Sequence, residues 1–287
     1  METRTIDGVL LVDKPAGVSS HDAVAVVRRI LGQRRVGHAG TLDPFATGLM
    51  VMLAGRATRL LPYLDGEPKV YDATIRLGAE TDTGDREGEI VREAAPPDDA
   101  AITTAIEALT GELDQVPPAY SAKRVDGVRA YARARRGESV ALAPVRVHVQ
   151  GWQVRQRRGP ELDVTITCGG GTYVRALARD LGRLTGSAAH LTALQRVRSG
   201  RFRLADAQRL DALAAAGARL QPPVEAVAHL PAVALDERAR DDVSHGRPIP
   251  ASTDAPLVAL VDAAGALVAV AAHEGDWWYP RVVLADG

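Results

Sequence analysis

The segment Arg35–Gly48, reading RVGHAGTLDPFATG, sets one carboxylate, Asp43, among three glycines with a proline directly after it. Proline biases the residue before it toward extended backbone, and loops carry a disproportionate share of catalytic groups. A carboxylate placed this way can attack an electrophilic carbon and later depart. It can also share acid–base work with a second carboxylate, for which Asp85 is the defensible candidate.

Three other segments concentrate reactive or recognition-type side chains. Gly8–Ser20 (GVLLVDKPAGVSS) carries Lys14, and Lys69–Ala73 (KVYDA) carries Tyr71 and leads through Leu77-Gly78 to Thr81–Asp85 (TDTGD). Gly171–Gly182 (GTYVRALARDLG) carries Tyr173 and Arg175 just after the glycine run 169–171. In order and at this spacing, the four segments resemble the motifs of the TruB-type pseudouridine synthases, the type that modifies uridine 55 of tRNA. The resemblance runs from about Gly8 to about Arg203.

That resemblance implies conversion of uridine to pseudouridine in the T-arm stem-loop of tRNA. The C1′–N1 bond breaks and C1′ joins C5 of the same base, with no redox change, so no cofactor is expected. By the same resemblance Asp43 is the nucleophile and Arg175 pairs with it, a guanidinium nearby favouring an ionised carboxylate. Tyr71 offers a flat face to a flipped uracil and a phenol to move a proton, and Leu194 adds apolar contact. His38 fills the space that the extruded base leaves. Lys14 supports the site or contacts RNA, Asp85 orients the neighbourhood of Arg175 and Tyr71, and Tyr173, Lys123 and Arg124 are further substrate contacts. Two rivals stay open: a non-catalytic tRNA-binding or folding chaperone on the same scaffold, which has no need of Asp43, and a hydrolase using Asp43 with Asp85.

Composition narrows the class. A chain of 287 residues holds one large domain, or one plus a small one. No apolar run is long enough to cross a bilayer and no signal-peptide pattern opens the chain, so a cytoplasmic protein is expected. The single cysteine, Cys168, excludes an internal disulfide, and no Cys/His cluster has zinc spacing, so no metal is expected. Net charge is −1, but its distribution is uneven. Ten basic residues, among them Lys123, Arg124, Arg129 and Arg133, lie between Tyr120 and Arg158 against only Asp126 and Glu138. Such a patch fits a phosphate backbone.

Patterning predicts a strand over 8–12, then a helix to Leu31 capped by Ser20. Strands are expected over 49–53 and 70–77, with a short helix over 57–64 between them. An acidic loop over 79–89 and a helix over about 98–109 follow. Pro117 and Pro118 open a basic insertion, about 117–146, in which 128–136 reads as helical. Further strands over 145–156 and 161–168, a helix over 172–184 and a strand over 190–197 complete an α+β catalytic domain, 1–230. Its sheet is mixed, mostly antiparallel and flanked by helices.

Residues 231–287 read as a small β-rich unit with strands over 257–261 and 267–272. By resemblance it stands where the family carries a PUA-like RNA-binding domain. Its acidic balance argues for a lesser share in RNA binding than the basic insertion. A monomer is expected.

Overall fold

The computed structural model describes residues 6–118 and 142–284, and the backbone alone at 124–125 and 128–129. Two sheets dominate. The larger runs β14-β1-β3-β12-β4-β11-β10-β7, and two short strands, β2 and β13, pair at its flank. Its members are β1 Gly8–Lys14, β2 Val36–His38, β3 Thr47–Ala54, β4 Lys69–Leu77, β7 Gly111–Gln115, β10 Val145–Arg158, β11 Glu161–Cys168, β12 Ala189–Ser199, β13 Phe202–Arg203 and β14 Gln208–Arg209. Pairing is antiparallel except at β1–β14 and β3–β12, which are parallel. With helices packed on it, this is the mixed α+β architecture that the patterning predicts.

Sequence explains which strands are covered on one face and which on two. Gly8–Val12 of β1 and Gly48–Ala54 of β3 are unbroken apolar runs, as strands buried on both sides must be. Leu10, Val12, Met50 and Met52 point into one core, while Val9, Leu11, Leu49, Val51 and Leu53 point into another. β4 and β11 alternate instead. Tyr71, Ala73 and Ile75 face the first core with Leu162, Val164 and Ile166. On the opposite face Thr74 donates to Asp163 and Thr165 to Asp72, both at 2.7 Å.

Three long helices cover the first core, α1 Ser20–Leu31, α2 Asp99–Ala108 and α3 Val174–Leu184, and Leu213 of a short helical turn adds to it. The cap of α1 is Ser19, not Ser20. The reason is in the sequence: a capping box needs an acid three residues on, and Asp22 supplies it for Ser19. Ser20 is free for another task, described below. The short helix expected over 57–64 is a 3₁₀ helix over 55–63. The acidic segment 79–89 is not all loop, because β5 Ala79–Thr81 pairs with β6 Ile90–Glu93. Backbone pairing of β8 Arg124–Val125 with β9 Val128–Arg129 replaces the first turn of the helix expected over 128–136. The rest of that helix, and the side chains of Lys123 and Arg124, lie outside the described residues.

The second sheet runs β15-β17-β18-β19-β16, from β15 Ala232–Ala234, β16 Ile249–Pro250, β17 Leu257–Val261, β18 Leu267–Glu274 and β19 Trp277–Val283. β19 escapes a pattern reading because Pro280 interrupts it. The proline sits where the register with β18 shifts, a place that tolerates a missing N–H. Val261, Leu267, Val270, Val282 and Leu284 of this part share one core with Val9, Leu11, Leu49 and Val51. The rear of the β1–β3 region is therefore covered by the C-terminal residues.

Candidate active site

Asp43 lies in the loop between β2 and β3, and that loop is held from both sides. The Ser20 hydroxyl donates to the Leu42 carbonyl at 2.9 Å and accepts the Leu42 N–H at 2.8 Å. On the other side the Pro44 carbonyl accepts the Gly17 N–H at 2.9 Å and the Lys14 ammonium at 3.3 Å. Leu42, Phe45 and Ala46 are buried in the first core. The carboxylate between these anchors has little freedom, yet its side chain is 34% exposed.

Arg175 reaches it from the first turn of α3. Nε meets Asp43 Oδ2 and Nη2 meets Oδ1, each at 2.9 Å, a forked pairing with a guanidinium only 4% exposed. The third nitrogen, Nη1, donates to the Thr83 carbonyl at 2.8 Å and stands 3.6 Å from Asp85 Oδ2. Asp85 is itself fixed, accepting from the Thr83 hydroxyl at 2.8 Å and the Glu87 N–H at 3.0 Å. Gly84 lets the two elements meet: its φ is +75°, and a Cβ there would lie 3.4 Å from Arg175 Cβ. Tyr173 caps the helix start, and Gln115 holds its backbone at both N–H (2.8 Å) and carbonyl (3.2 Å).

Tyr71, on β4, lies in the same core as Leu42, Phe45 and Leu194. Burial pushes its phenol pKa up, against the nearby positive charge of Arg196. Leu194 stands opposite Ala73, on the face that carries Tyr71. His38 ends β2 and is half-buried. Burial, and then the charge of Arg196, hold its imidazole below the usual range, against a contact with the Gly40 backbone that raises it. Asp43, Arg175 and Asp85 thus form one cluster, with Tyr71 and Leu194 in the core beside the Asp43 loop.

Lys14 bears on the two roles expected of it. It is 0% exposed, and its ammonium donates to the carbonyls of Pro15 (2.9 Å), Val18 (2.7 Å) and Pro44. Spent on these three carbonyls, the buried ammonium is placed to support the loop, the first of the two roles expected of Lys14. Burial lowers its pKa to about 8.

Two cations near the site escape the sequence reading: Lys69 and Arg196. Burial, and then Arg196, lower the pKa of Lys69. Arg196 is 1% exposed, and the alternation of β12 was its signal. A strand that turns Leu194 toward Tyr71 turns the residue two positions on the same way.

Comparison with known proteins agrees with this geometry. A family model described as "TruB family pseudouridylate synthase (N terminal domain)" matches residues 28–174. Models for a "tRNA pseudouridylate synthase B C-terminal domain" and for "tRNA Pseudouridine synthase II, C terminal" match 175–230 and 230–285. A tRNA pseudouridine synthase B of Arthrobacter sp. (strain FB24) is 46% identical over 98% of this chain and 97% of its own. One of Thermobifida fusca (strain YX) is 47% identical over 97% and 99% respectively. Among solved structures, the crystal structure of a Cbf5-Nop10-Gar1 complex matches with a TM-score of 0.73 at 25% identity, covering 97% of this chain and 85% of the other. Matches of this identity over nearly the full length, with the motif residues converging on one aspartate, place the chain in the TruB family of pseudouridylate synthases.

Proposed function

We propose that this chain isomerises uridine 55 in the T-loop of tRNA to pseudouridine, acting as a cytoplasmic monomer. The observation that carries the reading is the Asp43–Arg175 pair. A carboxylate is held by both oxygens on a pinned loop, with a third of its side chain open to an incoming substrate. The names of the relatives supply the substrate class.

Asp43 acts as nucleophile on the extruded nucleotide, and Arg175 fixes its orientation so that the attacking oxygen does not have to be found in each turnover. The C1′–N1 bond breaks, the base turns, C1′ bonds to C5, and the proton displaced from C5 leaves as N1 gains one. Tyr71 flanks the base and handles a proton, Leu194 adds apolar contact, and Tyr173 borders the entrance. His38 takes the vacated space in the RNA loop, a role that suits an imidazole biased toward its neutral form. Residues 1–230 carry the chemistry, the insertion at about 117–146 with Lys123 and Arg124 clamps RNA, and 231–287 form a PUA-like unit.

The test uses a tRNA transcript with tritium at C5 of its uridines. Tritium should be released in step with pseudouridine formation, without chain cleavage. A transcript with cytidine at position 55 should release none. Release undiminished by that change would overturn the assignment of position.

A further inference from the structure

Arg196 is the second buried guanidinium of the site, and it differs from Arg175 in its partners. Nε donates to the Leu49 carbonyl at 2.8 Å and Nη2 to the Gly40 carbonyl at 3.1 Å. Among the described residues no carboxylate pairs with it. A buried cation met only by neutral oxygens has an uncompensated desolvation cost. A fold keeps such a group where its charge has a use, or where its planar fork is needed for geometry.

Both ends of its contact pattern lie on functional segments. Gly40 sits between His38 and Asp43, and its φ of +98° leaves the space that Arg196 enters: a Cβ there would lie 3.2 Å from Nη1. On the other side, Arg196 and Tyr71 are directly opposed in the β12–β4 register, with the phenol in reach of the guanidinium. We propose that Arg196 is a positioning residue for the isomerisation, orienting the Tyr71 phenol oxygen and tying the His38–Asp43 loop to β12. The inference rests on the reading of the chain as a uridine isomerase. Its electrostatic side is visible in the neighbours, since Arg196 pulls the pKa of Tyr71, His38 and Lys69 downward.

A structural brace alone would also be buried and hydrogen-bonded, so the test must read Tyr71. Single-turnover tritium release and tRNA filter binding are measured for Arg196→Lys and Arg196→Met, each in the parent and in a Tyr71→Phe background. The phenolate absorbance of Tyr71 is titrated in the free protein as the difference from Tyr71→Phe. Arg196→Lys should lose about a hundredfold in rate, within the range for a misplaced acid–base group, with tRNA binding little changed. In the Tyr71→Phe background the same change should cost no more than about threefold, since residues acting through one another are not additive. Arg196→Met should move the Tyr71 titration upward. Should Arg196→Met not fold, Arg196→Gln, which keeps planar donors without the charge, takes its place. Equal rate losses in both backgrounds, with an unmoved Tyr71 titration, would overturn the proposal. The titration needs no RNA, so its outcome stands apart from whether the parent acts on tRNA.

Discussion

Arg175 and Asp43 are 132 positions apart in the chain and meet through two parallel contacts of 2.9 Å. Neither is placed by its own neighbours alone. Asp43 depends on Ser20 and Lys14 to hold its loop, and Arg175 on Gln115 and Gly84 to set the start of α3. The pairing is a tertiary product of all four motifs, and the clearest expectations concern its loss.

Asp43→Asn keeps the shape of the side chain and removes the nucleophilic charge. Tritium release should fall below detection while tRNA binding stays within a few-fold. The amide also turns an N–H toward one guanidinium nitrogen, so urea denaturation should show a loss of about 1–3 kcal/mol. Multiple-turnover activity in a preparation free of revertant protein would sink the role of nucleophile.

Arg175→Lys keeps the charge and loses the fork. An ammonium cannot meet both carboxylate oxygens and the Thr83 carbonyl in one plane. Activity should drop at least about a hundredfold, in kcat more than in KM. A variant working at near the parental rate would show that orientation of Asp43 is not limiting.

His38→Ala should slow the reaction without abolishing it, because the step affected is stabilisation of the opened RNA loop. The deficit should shrink on an RNA whose target uridine is already unstacked, since extrusion costs a few kcal/mol in a stacked loop. An equal deficit on both RNAs would contradict gap filling.

The residues of the site differ in how legible they are in the sequence. Asp43, Tyr71 and Arg175 stand in short continuous motifs, and it is the resemblance those motifs carry that marks them out. Arg196 stands in none of them: in ALQRVRSG the alternation with Leu194 puts it on the inward face, but an arginine there is easily passed over, and its register with Tyr71 shows what it meets. Ser19 and Ser20 are adjacent and chemically alike, and the acid at Asp22 decides between them. For Lys14 both support of the site and contact with RNA stay open in the sequence, because sequence carries no burial. Its three carbonyl partners come from turns whose shape local pattern does not encode.

Lys14 also makes the fold respond to pH. Its folded pKa of about 8 lies below the ordinary 10.5. Below pH 8 the lysine is protonated in both states, and the full cost of burying the charge is present. Between about 8 and 10.5 the unfolded chain binds a proton that the folded one does not, so this cost fades as pH rises. Relative to Lys14→Met, the parent should therefore gain stability from pH 8 to 10 in urea titrations. A constant difference across that range would mean that the ammonium is not depressed.

Truncation after Leu230 tests the covered rear of β1 and β3. Removing Val261, Leu267, Val270, Val282 and Leu284 bares Val9, Leu11, Leu49 and Val51. The shortened protein should melt at least about 5 °C lower, in line with a loss of a few kcal/mol in a domain of this size, and should bind an exposed-hydrophobe dye. An unchanged melting temperature would show that the β1–β3 region is stable without its cover.

The same arrangement has a consequence for how the protein is made. β1 is synthesised long before the segments that complete it: it pairs with Gln208–Arg209 at one edge and is roofed by residues up to Leu284 at its back. A growing chain therefore carries an apolar strand whose second edge and back stay uncovered until those later segments have been made. Such a strand invites wrong pairing while it waits. The nascent enzyme therefore needs chaperone protection at β1 until the residues from Val261 to Leu284 have emerged.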